Sequence, residues 1–89
     1  MKKHLDVTVI GKVQGVGFRY QAKELADKMG LHGYARNHRD KNVFIEIEGE
    51  EIVLNEFLDW LNSSPGLSQV TETKMHKGNI KGYREFEVY

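Results

Sequence analysis

The sequence predicts an α+β sandwich of ferredoxin-like type, ordered β-α-β-β-α-β, with two helices on one face of an antiparallel sheet and a short C-terminal strand. Three observations carry that prediction. Apolar and polar residues alternate with period 2 in residues 5–9 and 43–48. Two other stretches repeat apolar residues at the i, i+3, i+4, i+7 spacing of a one-sided helix. Turn-forming clusters rich in glycine, asparagine, aspartate or proline separate these segments. Residues 1–89 are expected to form a single domain, since domains run from ~50 to ~250 residues.

Each element follows in order along the chain. Leu5-Asp6-Val7-Thr8-Val9 is the first strand, and Ile10 puts an apolar group on its other face near the end. Gly11-Lys12-Val13-Gln14-Gly15-Val16-Gly17 is a glycine-rich connection. Phe18, Ala22, Leu25, Ala26 and Met29 then make one apolar helical stripe, and Gly30 suits a left-handed C-terminal cap. Residues 31–37 read as extended, and His38-Arg39-Asp40-Lys41-Asn42 supply a polar hairpin turn. Beyond it, Val43, Ile45 and Ile47 alternate with Phe44, Glu46 and Glu48. Glu50-Glu51 suit the positive end of a second helix, whose Leu54, Phe57, Leu58 and Leu61 form the buried stripe with Trp60 on its flank. Ser63-Ser64-Pro65-Gly66 stops that helix. Residues 70–76 and 83–89 read as two further short strands around a Lys77-Gly78-Asn79-Ile80-Lys81-Gly82 turn.

Composition narrows the function classes. Thirteen Lys+Arg balance thirteen Asp+Glu, so the chain lacks the basic excess of a dedicated polyanion binder and no nucleic-acid partner is expected. With no cysteine it has no disulfide, no thiolate nucleophile and no Cys-based metal site. Asp6 and Thr8 interrupt any apolar signal core after Met1-Lys2-Lys3, and no run reaches the ~18–20 apolar residues of a membrane helix. A cytoplasmic protein without a membrane partner is therefore expected.

The informative segment runs from Gly11 to Arg19. Its glycines open backbone conformations closed to other residues, so consecutive N–H groups can point inward as an anion nest at a helix N-terminus. Arg19 would add a planar fork of donors suited to phosphate oxygens. Taken alone, these residues read rather as a tight strand–helix turn with a solvated arginine. Two nucleotide motifs fail on spacing. G-x-G-x-x-G would need glycine where Tyr20 stands, and no second glycine is followed by Lys and Ser/Thr as in a Walker loop.

Val9-x-Gly11-x-Val13-Gln14-Gly15-Val16-Gly17-Phe18-Arg19 resembles the signature of the acylphosphatase family. A second pattern, Gly33-Tyr34-Ala35-Arg36-Asn37 followed by Val43 and Gly49, resembles that family's downstream motif. The likeness spans essentially the whole chain. It implies an enzyme that hydrolyses acyl phosphates to a carboxylate and inorganic phosphate. Arg19 would bind the phosphoryl group, and Asn37 would position the attacking water. The backbone of Gln14, Gly15, Val16, Gly17 and Phe18 would complete the phosphate-binding loop. No metal or other cofactor is required. The implied partners are a small acyl phosphate and inorganic phosphate, as product and competitive inhibitor, with the protein a monomer. A non-catalytic anion-binding or regulatory module on the same fold is the alternative. One departure stands in the hairpin turn, where the family usually has a glycine after the aspartate and this chain has Lys41-Asn42. Asn42 tolerates the left-handed conformation and can take over the turn.

Read without the family pattern, Asn37 would close the hairpin turn. His4, His32, His38 and His76 show no metal-ligand spacing and read as surface or turn residues. Lys74, Lys77 and Lys81 read as soluble strand-edge charges. An RNA-recognition sheet would need paired aromatics, and Phe44 instead stands beside Glu46 and Glu48.

Overall fold

The alternation near the start of the chain becomes β1 (Lys2–Lys12), and a computed structural model describes all of Met1–Tyr89. The remaining elements are α1 (Phe18–Met29), β2 (His32–Asn37), β3 (Val43–Glu50), α2 (Glu51–Asn62), β4 (Gln69–Gly78) and β5 (Phe86–Val88). The sheet order is β4-β1-β3-β2-β5. β1 to β4 pair antiparallel, whereas β5 joins the far edge parallel to β2. Leu5, Val7 and Val9 share one face with Ala35, Val43, Ile45 and Ile47, and that face packs against Phe18, Ala22 and Ala26 of α1 and Leu54, Phe57 and Leu61 of α2. Each fully buried large side chain contributes about 1.5–3 kcal/mol, so this shared core positions everything above it. Gly33 is the tightest point, because a Cβ there would lie 1.8 Å from the Glu46 carbonyl oxygen.

The last third differs most from its sequence pattern. Only Phe86–Val88 of the expected strand over 83–89 joins the sheet, on the edge opposite β4. The segment between β4 and β5 therefore crosses the sheet face that carries no helix. Glu48 draws it in, accepting the backbone N–H groups of Lys81 (2.6 Å), Gly82 (3.0 Å) and Tyr83 (3.3 Å). Glu46 accepts from Lys81 Nζ (2.7 Å), Tyr83 Oη (2.7 Å) and Tyr34 Oη (2.6 Å). His4 is only 2% exposed, not a surface residue, and its ring contacts Glu48 (2.6 Å) and Asp6 (2.8 Å). Lys81 is an anchor of this cluster rather than a free edge charge. His4, Asp6 and Glu46 each offer a ligand atom within 4.8 Å of the others. The cations they meet are the chain's own, the Lys81 ammonium and the His4 ring when protonated. The acidic network occupies the face that an RNA-recognition sheet would present.

Burial pushes the Glu46 carboxyl up, but the hydrogen bonds from Lys81, Tyr34 and Tyr83 outweigh it and hold the pKa at about 2. A depressed carboxylate contributes stability that is present above its unfolded value of 4.5 and lost as pH falls through about 2. That difference corresponds to about 3 kcal/mol. Glu46→Gln should be destabilised at pH 6 yet lose about 3 kcal/mol less than the wild type between pH 5 and pH 2. Urea unfolding across that range checks it, and parallel acid limbs for the two proteins would refute it. The opposite sign applies to His4. Burial lowers its pKa, but hydrogen bonds to Glu48 and Asp6 prevail and raise it, so its contribution fades as pH climbs through that raised value.

Candidate active site

Between β1 and α1 the chain turns through Val13 to Gly17. Val13 is buried and fixes the start of the loop, and Phe18, 1% exposed, fixes its end by stacking on Trp60 with ring centroids 6.1 Å apart. Gly15 (φ 73°) and Gly17 (φ 75°) both adopt the left-handed conformation. A Cβ at either glycine would meet nothing within 4 Å, so backbone geometry and not crowding calls for glycine. The backbone N–H groups of Gln14, Gly15, Val16 and Gly17 donate to no protein acceptor. Gly17 caps α1 without a side-chain hydrogen bond, leaving the first-turn N–H groups open as well. Unused donors beside a helix N-terminus make a cradle for an anion.

Arg19 follows on the first turn of α1, half-buried, with its Cζ 5.7 Å from the Tyr20 ring centroid. One guanidinium nitrogen, Nη1, donates to the Tyr89 carbonyl oxygen. The Tyr89 N–H in turn donates to the Ala35 carbonyl (2.9 Å), so the arginine is tethered to the β2 edge through the residue after β5. The other guanidinium donors have no protein acceptor.

Asn37 ends β2. The alternation that buries Gly33 and Ala35 places Asn37 on the same face, the one that carries α1. It is exposed, and its carboxamide makes no hydrogen bond within the chain. The turn is closed by other groups: His38 N–H to Asn42 O (2.8 Å), Lys41 N–H to His38 O (3.1 Å), and Asn42 N–H to Asp40 Oδ1 (3.1 Å). Asn37 is therefore not spent on the turn. Lys41, not Asn42, takes the left-handed conformation (φ 72°), at a cost of about 1–2 kcal/mol for a residue with a side chain. Asn42 is held out of that role because both its N–H and its carbonyl are already bonded.

The side chain of Gln14 spans the gap from loop to turn. Its Nε2 donates to the carbonyls of His38 and Asn42, both at 2.9 Å. Gly11, Lys12, Val13, Gln14 and Lys41 line a shallow depression of about 220 Å³ beside the loop, and neither lysine has a carboxylate partner. His38 lies in the turn with its ring on Asp40 (3.0 Å). The largest depression, about 320 Å³, lies elsewhere, between α1, Trp60 and Pro65-Gly66, and its Lys28 and Glu24 pair with each other. The glycine connection ahead of α1, Arg19 in that helix's first turn and Asn37 at the end of β2 all lie where the sequence pattern puts them. The Gln14 side-chain bridge and the Tyr89 contact to Arg19 are not legible in that pattern.

Comparison with known proteins gives the family of the chain as a whole. The acylphosphatase family model matches residues 5–88. The chain is 42% identical to an acylphosphatase of Archaeoglobus fulgidus over 84 residues, covering 94% of each protein. Its fold superposes on the crystal structure of acylphosphatase from Bacillus subtilis with a TM-score of 0.94, at 33% identity, over 100% of this chain and 99% of that one. It also matches full-length HypF in a phosphate- and nucleotide-bound form, with a TM-score of 0.93 and 30% identity, but over only 12% of that much longer chain.

Proposed function

This chain belongs to the acylphosphatase family and hydrolyses the carboxyl–phosphate bond of acyl phosphates, and from that premise we propose how its own residues carry the reaction. The free amides of Gln14, Gly15, Val16, Gly17 and Phe18 cradle the phosphoryl oxygens, and Arg19 supplies the fixed cation. Asn37 accepts a hydrogen bond from water through its carboxamide oxygen and aims the water oxygen at phosphorus. The water oxygen forms the new P–O bond as the bond to the acyl oxygen breaks. The carboxylate departs with the bonding pair, and a water proton passes to a phosphoryl oxygen. A carboxylate is a good leaving group, so the step needs little general-acid help. Its loose transition state is served chiefly by positioning and charge stabilisation. The observation that carries this reading is the run of unpartnered N–H groups ahead of Arg19.

The enzyme is read as metal-independent, monomeric and cytoplasmic, with inorganic phosphate competing for the loop. Family chemistry favours turnover over a binding-only module. Benzoyl phosphate hydrolysis should proceed at an undiminished rate in excess EDTA, and phosphate should raise KM without lowering kcat. Loss of turnover in EDTA that zinc or magnesium restores would contradict the metal-free mechanism. Size-exclusion chromatography and cell fractionation check the other two assignments.

A further inference from the structure

We propose that Gln14 is a positioning residue that sets the separation between the phosphate loop and Asn37, a role that rests on the assignment of Asn37 above. Its two Nε2 bonds, each 2.9 Å, reach the carbonyls of His38 and Asn42. Those residues adjoin the last rung of the β2–β3 ladder, Asn37↔Val43. The His38 carbonyl already accepts the Lys41 N–H, and the Asn42 carbonyl already accepts the His38 N–H. Gln14 thus takes the second lone pair of each. A primary carboxamide is suited to this, because it holds two N–H donors in one plane. A carboxylate of the same size has none. The effect is one more rung beyond Asn37, supplied by a side chain 24 and 28 residues away in sequence.

No other hydrogen bond joins residues 13–17 to the turn. The loop holds the phosphoryl group and β2 holds Asn37, so this bridge transmits the position of one to the other. Asn37 has no hydrogen bond of its own to fix its carboxamide, and the turn behind it carries a left-handed lysine where glycine would be unstrained. A displacement of about 1 Å between nucleophile and electrophile can cost about a hundredfold in rate. The bridge keeps the attacking water within that tolerance.

Steady-state kinetics on benzoyl phosphate, with thermal unfolding alongside, test this in Gln14→Ala, Asn37→Ala, the double variant, and Gln14→Ala combined with Lys41→Gly. Gln14→Ala should lower kcat about 10- to 100-fold, while Ki for phosphate moves less than about threefold because the loop amides remain. The double variant should be within about threefold of Asn37→Ala alone, since an absent Asn37 cannot be misplaced. Adding Lys41→Gly should recover the melting temperature lost in Gln14→Ala but leave kcat low. A Gln14→Ala kcat within twofold of wild type would overturn the proposal. So would losses that multiply in the double variant, or a kcat restored by Lys41→Gly along with stability, which would make Gln14 a turn stabiliser only. If Asn37→Ala turns over normally, the assignment of Asn37 falls and takes this one with it. If Asn37→Ala is slow and Gln14→Ala is not, the role of Gln14 alone is refuted.

Discussion

Arg19→Ala should lower kcat/KM for benzoyl phosphate by about three to four orders of magnitude while the protein stays folded. Charge-assisted hydrogen bonds contribute about 1.5–3 kcal/mol each, so two lost to the phosphoryl oxygens give about 4–5 kcal/mol. At about 1.4 kcal/mol per tenfold, that is the stated loss. Stability should change little, because the guanidinium makes a single hydrogen bond to the protein, at the Tyr89 carbonyl, and is only half-buried. Phosphate inhibition should weaken in parallel, because in the proposed mechanism the same cation would serve product and transition state. Arg19→Lys keeps the charge but not the planar fork, and should recover no more than about tenfold of the loss. Kinetics with circular dichroism on both variants decide the matter. An alanine variant within tenfold of wild type would remove Arg19 from the site.

The second large effect is expected at Asn37, and it should separate binding from turnover. Asn37→Ala should reduce kcat by about a hundred- to a thousandfold, in line with the loss of one positioned reacting group. Ki for phosphate should stay within about threefold, because the loop and Arg19 are untouched. Folding should be unaffected, as the side chain is exposed and unbonded. Asn37→Asp sharpens the test. A carboxylate is a better base than a carboxamide but sets a negative charge against the phosphoryl oxygens, so positioning predicts no rescue near neutral pH. Full activity in the aspartate variant would instead mean that a base is wanted there.

Much of the fold is readable in the sequence, for a definite reason. Alternation in β1 and β3 and the stripes of α1 and α2 are local patterns set by repeat geometry, and a buried face leaves its period in the chain. The loop was legible because a tight strand–helix connection with left-handed backbone needs glycines within a few residues of the helix start. Glu46 and Glu48 were misleading. On a sheet with one wet face they are ordinary outward charges, yet they are 7% and 6% exposed because residues 79–85 pass over them. The Lys41-Asn42 turn was misjudged in a smaller way. Asn42 has the better intrinsic tolerance for left-handed geometry, but the bonds to Asp40, His38 and Gln14 hold it elsewhere.

The element order, the buried faces, the glycine loop with Arg19, and Asn37 at a strand end all follow from local sequence, because each depends on residues a few positions apart. Three-dimensional packing was needed to place β5 parallel beside β2, to seal His4, Glu46 and Glu48 beneath Lys81 and Tyr83, and to bring Gln14 to the turn behind Asn37. Those contacts join residues 24 to 53 positions apart, and no local pattern encodes which distant partner a polar side chain will meet.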